Sequence, residues 1–270
     1  MNFKNYFVLY FFIFSLIISS CVNVDSSLEA VKVTSVIDGD TFYVDYGTTQ
    51  ESIRIIGIDT PEIHEGSKPV EEYGEDAKKF LEDFVNSFDI YLKKDGTDPY
   101  SRTLAYVFGK DKNGDLIFYE EAVLKEGLAR PLIYLDNDDE ELTPKIVEAY
   151  NYTFENKKDI FSKWDTAKVI KNRNEITNSL EGKIVFLEGE VNDVEKYEYY
   201  SKEGDYHYYY YNVDCIWFNI TIRDGEYEYF FKNFDIYSLK GKKVKFYGEL
   251  WLENEKPKIL LRSPNEIVVN

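Results

Sequence analysis

Three short runs concentrate charged and polar chemistry in the first half of this chain: VIDGDT (36–41), RIIGIDTPE (54–62) and DPYSRTLAY (98–106). They supply carboxylates at Asp40, Asp59 and Glu62 and guanidiniums at Arg54 and Arg102. A hard divalent cation such as Ca²⁺ takes oxygen ligands, and two aspartates with a backbone carbonyl and waters make such a site. A guanidinium fork gives phosphate two parallel charged hydrogen bonds. A metal, two arginines and one free carboxylate are together what phosphodiester hydrolysis requires: a polarised phosphoryl oxygen, balance for the charge gained in the transition state, and a handler for the water proton. Taken singly, each residue has a structural alternative. Asp40 can complete a hairpin turn, Asp59 can cap the turn before Pro61, and Arg54 can be a surface ion-pair partner.

The elements that must hold these side chains are legible in the pattern. AVKVTSVIDGDTFYVDY alternates on either side of Asp38-Gly39 and predicts a hairpin; ESIRIIGID predicts a third strand that Pro61 ends. Ala77, Phe80, Leu81, Phe84 and Val85 recur at helical spacing. Further strands follow, with Asn113-Gly114 at a turn and then a short helix. A second amphipathic helix is expected from Thr143 as cap and Pro144 as first helical residue. Five strands with helices after the third and fifth is the order of an OB-like barrel.

The second half alternates β-branched and aromatic residues, with turn signals at Asp224-Gly225 and Gly241, and predicts a second all-β domain that includes YEYFFKNF as a strand. Its segment EKYEYYSKEGDYHYYYYNVD reads as a long exposed hairpin or as a base-stacking surface. The expected fold class is therefore mainly β with α (α+β). A five-stranded OB-fold barrel with packed helices is followed by a second small all-β, OB-like barrel.

The formal charge of −18 argues, on charge alone, against tight nucleic-acid binding. MNFKNYFVLYFFIFSLIISSC has Lys4 in a short n-region, an apolar h-region, and small residues before Cys21. That run resembles the lipobox of bacterial lipoproteins, whose cysteine becomes the lipid-modified first residue. It implies an exported chain, lipid-anchored to the bacterial cell envelope and its membrane through Cys21. With Cys21 acylated, Cys215 has no disulfide partner. The two histidines, His64 and His207, are too few and too separate for a zinc site.

DGDT, RIIGIDTPE, EEYGEDAKKF, DPYSRTLAY, GLAR and IFSKW, six motifs in order, resemble the staphylococcal nuclease (thermonuclease) family over roughly residues 30 to 165. The resemblance implies Ca²⁺ ligands Asp40, Asp59 and the carbonyl oxygen of Thr60, with Arg54 and Arg102 on the scissile phosphate. It implies that Glu62 is the general base or the residue that orients the attacking water. Cleavage of DNA or RNA would give 3′-phosphate ends. Tyr100 falls where the family has a tyrosine near the nucleotide. Pro99 stands where a lysine precedes that tyrosine, and Tyr134 alone replaces a pair of base-packing tyrosines. The expected organisation is 1–21 lipoprotein signal peptide and lipobox, 22–29 tether, 30–165 nuclease-like domain, 166–180 linker and 181–270 C-terminal domain. The competing reading is a catalytically weak or inactive nucleic-acid-binding or adhesion lipoprotein working through the tyrosine-rich domain.

Overall fold

The computed structural model describes residues 28–66, 68–200 and 207–270. The expectations for the signal run and Cys21 lie outside the described residues.

Strands β1 (Glu29–Val36), β2 (Thr41–Asp45) and β3 (Gln50–Ile55) form an antiparallel meander. β3 leads into β4 (Gly57–Asp59), helix α1 (Gly74–Ser87), β5 (Asp89–Thr97), β6 (Thr103–Lys110) and β7 (Leu116–Phe118). The strand order is β3-β2-β1-β5-β6, and a parallel β3–β6 pairing closes it into a five-stranded barrel, with β7 appended to β6. α1 turns Ala77, Leu81 and Phe84 inward against the barrel core of Phe42, Val44, Ile53, Leu92 and Val107. Helix α2 (Tyr119–Glu126), strand β8 (Arg130–Leu132) and helix α3 (Thr143–Glu155) complete the first unit.

Two local expectations change. RIIGIDTPE is two strands rather than one. Gly57 adopts φ +79°, and a Cβ there would lie 2.4 Å from Ile146 Cδ1, so only glycine lets the chain leave the barrel at this point. β4 then pairs with β8, setting Asp59 opposite Arg130. The residue capping α3 is Leu142, and Thr143 lies inside the helix, its Oγ1 accepting the Asp139 amide at 3.0 Å.

The second sheet contains β9 (Val169–Ile170), β10 (Ile184–Tyr200), β11 (His207–Cys215), β12 (Asn219–Arg223), β13 (Lys243–Glu249), β14 (Trp251–Glu253), β15 (Lys256–Leu260) and β16 (Ile267–Val269). Its order is β14-β15-β12-β11-β10-β13-β16, with β9 parallel to β10. The sheet curls as a half-barrel, and among the described residues no pairing joins its edges. Tyr227–Phe231, expected as a strand, is helical instead. Its pattern also satisfies helical spacing, because Tyr227 and Phe231, four apart, stack at 6.4 Å and bury Phe231.

The two units share a core. Phe186 and Tyr247 of the second sheet pack against Phe161 and Trp164 of the first unit, with ring centroids 4.9–5.8 Å apart. The Tyr247 hydroxyl donates to the Ile160 carbonyl at 2.7 Å. Beside this cluster Arg130 reaches Glu249 (2.7 Å), Glu266 (2.7 Å) and the Tyr150 hydroxyl (2.6 Å), all buried. The second sheet is therefore fixed against the wall that carries Asp59.

Candidate active site

The turn between β1 and β2 aims Asp40 inward. The Asp40 amide donates to Asp38 Oδ1 at 3.0 Å, and the Gly39 carbonyl accepts from the buried Tyr119 hydroxyl at 2.6 Å. A Cβ at Gly39 would sit 2.8 Å from Ala77 and Thr60, so glycine lets this turn press against β4 and α1. Asp40 Oδ2 then accepts both the Thr60 amide (2.8 Å) and the Thr60 hydroxyl (3.1 Å). Residues twenty positions apart are locked together by one carboxylate.

Arg54, at the end of β3, lies between the two aspartates. Its Nη1 is 3.0 Å from Asp40 Oδ1 and its Nη2 3.5 Å from Asp59 Oδ1. Burial opposes its charge, but Asp40, Asp59 and Asp38 outweigh that and raise its pKa. Asp59 Oδ2 is shared by Lys68 Nζ and Arg262 Nη2, each at 2.9 Å. Burial pushes the Asp59 carboxyl up, and Lys68, Arg54 and Arg223 more than reverse this, leaving it lowered. Asp38 is pushed up to about 7, by burial first and Asp40 second.

Glu62 stands one residue past Pro61, 3.6 Å from Lys68 and partly solvent-exposed; burial, then Asp59 and Asp40, raise its pKa. That shift brings it towards the range in which a carboxylate accepts a proton effectively. Arg102 lies in the turn between β5 and β6. Asp98 binds its Nε at 2.7 Å, and the Tyr100 ring packs 5.6 Å from its guanidinium carbon. Tyr100 itself is 81% exposed.

One cleft of about 800 Å³ is lined by Asp40, Arg54, Asp59, Thr60, Glu62, Tyr100, Arg102 and Tyr134. Every residue that the sequence picked out for catalysis, metal binding or substrate contact therefore faces a single space. The acidic loop after Tyr134 borders it through Asp136 and Asn137, while Asp138 and Asp139 are engaged by Tyr229 and Lys93.

Among the described residues no three His, Cys, Asp or Glu side chains cluster for a metal. The donor chemistry nonetheless fits a hard divalent cation. Asp40 and Asp59 converge on the single guanidinium of Arg54, and the Thr60 backbone is pinned between them. Arg54, Lys68 and Arg262 already engage these oxygens, so a cation competes with the protein's own positive charges.

The sequence reading missed three residues. Lys68 belongs to no motif of the first domain. Arg223 closes β12 and also lines the cleft; Arg262 is 4% exposed and follows β15. The available signal was an isolated arginine after an apolar run, ITIR or ILLR, in a chain with six arginines.

Behind Asp59 a cavity of about 20 Å³ is bordered by Lys68, Glu71, Arg130, Glu249 and Arg262. Glu71 is pushed up to about 8 from an ordinary 4.5, by burial first and by Glu249 second. The folded chain holds a proton there that the unfolded chain releases above about pH 4.5, so this group weakens the fold increasingly between about pH 4.5 and 8. Glu71→Gln is expected to raise the Tm at pH 8 and leave it nearly unchanged at pH 4.5. Equal shifts at both pH values would refute that origin.

Comparison with known proteins places this geometry. A family model described as staphylococcal nuclease homologue matches residues 52–163. A thermonuclease of Staphylococcus hyicus is 40% identical over 112 residues, covering 40% of this chain and 63% of that protein. A thermonuclease of Staphylococcus intermedius is 38% identical over 112 residues, 41% of this chain and 64% of its own length. Endonuclease YncB of Bacillus subtilis is 41% identical over 106 residues, 38% of this chain and 48% of that protein. The chain thus spans less than two thirds of the length of each of these relatives. The matched segment contains Arg54, Asp59, Thr60, Glu62 and Arg102, and over residues 52–163 this chain is similar to the staphylococcal nuclease family.

Proposed function

We propose that the chain is a calcium-dependent nuclease that hydrolyses phosphodiester bonds of DNA or RNA, tethered to the bacterial envelope by lipid at Cys21. The observation that carries this reading is the convergence of Arg54, Glu62 and Arg102, from three separate segments, on the cleft that also exposes Asp40 and Asp59. The relatives are named thermonuclease and endonuclease, in keeping with it.

Arg54 and Arg102 bind the non-bridging oxygens of the scissile phosphate and balance the charge that grows there in the transition state. Glu62 holds the attacking water by its proton, as acceptor or as orienting partner, and attack with departure of the 5′-oxygen leaves a 3′-phosphate. Asp40, Asp59 and the Thr60 carbonyl would hold Ca²⁺, which would supply Lewis-acid polarisation of the phosphoryl oxygen. Tyr100 and Tyr134 offer ring faces to the nucleotide, one beside Arg102 and one on the same cleft wall. Lys68 and Arg262 restrain Asp59 and reduce the local negative charge. Free calcium outside the cytosol is high enough to fill a modest-affinity site of this kind.

A binding-only protein is the second reading, and the cations already on Asp59 are what favour it. Incubating the chain with single-stranded DNA, with calcium or with chelator, separates the two. Cleavage that needs calcium and collapses in Glu62→Gln supports the enzyme; intact DNA at every calcium concentration leaves the binding protein. In cells, the same activity should follow the membrane fraction and move to the soluble fraction in Cys21→Ser.

A further inference from the structure

The tyrosine-rich hairpin is continuous with the cleft. Strand pairing sets Tyr210 opposite Arg223, Tyr197 opposite Tyr210, and Tyr199 opposite Tyr208. Paired residues point to one side of a sheet and successive residues alternate, so Tyr197, Tyr199, Tyr208, Tyr210 and Arg223 share a face. The rings form a ladder: Tyr197 to Tyr210 at 5.2 Å and 18°, Tyr199 to Tyr210 at 6.2 Å and 16°, Tyr199 to Tyr208 at 6.4 Å and 28°. Core packing does not account for this ladder. The opposite face buries Tyr209 and Tyr211, whereas Tyr199 remains 55% exposed.

Arg223 joins the ladder to the site. It lines the cleft with Arg54, Arg102 and Tyr134. Its Nε lies 3.3 Å from Glu226, while its Nη2, shielded from solvent, has no hydrogen-bond partner among the described residues. A guanidinium with an unused donor on the wall of a cleft that already holds Arg54 and Arg102 is suited to bind a phosphate. Glu195, the carboxylate next along this face of β10, is held by the Tyr197 hydroxyl at 2.6 Å.

We propose that this face is a stacking platform for the unpaired bases of a single-stranded nucleic acid whose scissile phosphate lies in the cleft, and that Arg223 binds the phosphate between the two. The inference rests on the nuclease reading and deepens it: the C-terminal sheet makes single strands the preferred substrate. Aromatic faces stack any base, which suits a chain whose overall charge of −18 gives the phosphate backbone little general attraction. A duplex, with its bases already paired and stacked, gains nothing from the ladder.

The test uses the full-length protein in detergent, with chelator to block cleavage, and fluorescein-labelled oligonucleotides of about four and about twelve nucleotides, which span the usual site sizes of such surfaces. Binding is read by anisotropy, alongside Tm for each variant. Tyr199→Ser combined with Tyr208→Ser is expected to weaken the longer strand about tenfold or more and leave the shorter unchanged. Arg223→Met should weaken both and reduce the slope of log K on log salt by about 0.7. Should that variant fail to fold, Arg223→Lys is expected to weaken both severalfold with the slope preserved. A longer strand bound equally by wild type and the double tyrosine variant would overturn the platform, as would a duplex bound as tightly as a single strand. Arg223 variants indistinguishable from wild type would overturn its role. In those cases, calcium-dependent cleavage of the shorter strand by wild type leaves the nuclease reading intact, whereas a wild type that neither binds nor cleaves either strand removes both.

Discussion

Arg102→Ala is expected to lower kcat on single-stranded DNA by about 10²–10³ while shifting stability by less than about 1 kcal/mol, and Arg54→Ala to match the activity loss but also destabilise the fold. The difference follows from what each guanidinium holds in the free protein. Arg102 is about a third exposed and, among the described residues, pairs with Asp98 alone. Arg54 is 12% exposed and bridges Asp40 and Asp59; removing it leaves Asp40 without its cationic partner in a buried corner. Breaking a buried pair costs about 3–5 kcal/mol, and Lys68 and Arg262 moderate the loss at Asp59 only. Steady-state kinetics and urea denaturation on both variants check this. Activity surviving in Arg102→Ala would exclude the proposed phosphate contact, and equal stability of the two variants would exclude the bridging role of Arg54.

Arg130→Met is expected to destabilise the whole chain by about 3–5 kcal/mol, a fall in Tm of about 10 °C for a chain of this size. Arg130 neutralises Glu249 of the second sheet and Glu266 near the C-terminus, both buried, and binds the Tyr150 hydroxyl of α3. Methionine fills much of the volume and leaves two carboxylates facing one another without a cation. Adding Glu249→Gln and Glu266→Gln should recover most of the loss, because neutral amides carry no comparable desolvation cost. Activity should fall with the single change as well, since Arg130 anchors β8, the strand whose backbone register holds β4 and Asp59 in place. A Tm within about 2 °C of wild type would show that the buried network is not what joins the two units.

By itself the sequence determined the barrel and the motif residues of its own strands and turns that line the cleft. Those residues sit in short motifs at strand ends and turns, where local rules act: Asp38-Gly39 makes a tight turn, Pro61 stops a strand, and 3.6-residue spacing marks α1. Arg54, Asp59, Thr60 and Glu62 fall within nine residues, so their proximity hardly depends on the remainder of the fold. Local pattern was weaker where two periods fitted the same letters. YEYFF satisfies strand alternation and an i,i+4 aromatic pair alike, and packing of Phe231 selected the helix. Gly57 broke one apparent strand into two because Ile146, from a distant helix, occupies the space a side chain would need.

The tertiary structure decided what surrounds the cleft. Arg262 meets Asp59 across 203 residues, and Arg223 reaches the same wall from the end of β12. No spacing rule relates residues so far apart in sequence; chain folding alone brings their charges together, with a shared aromatic core and the Arg130 network to hold them there. The tyrosine segment is the clearest case. Its letters allow an exposed hairpin or a stacking surface, with the plain hairpin the more economical reading, and strand register separates Tyr197, Tyr199, Tyr208 and Tyr210 from the buried Tyr209 and Tyr211 and lays that set beside Arg223.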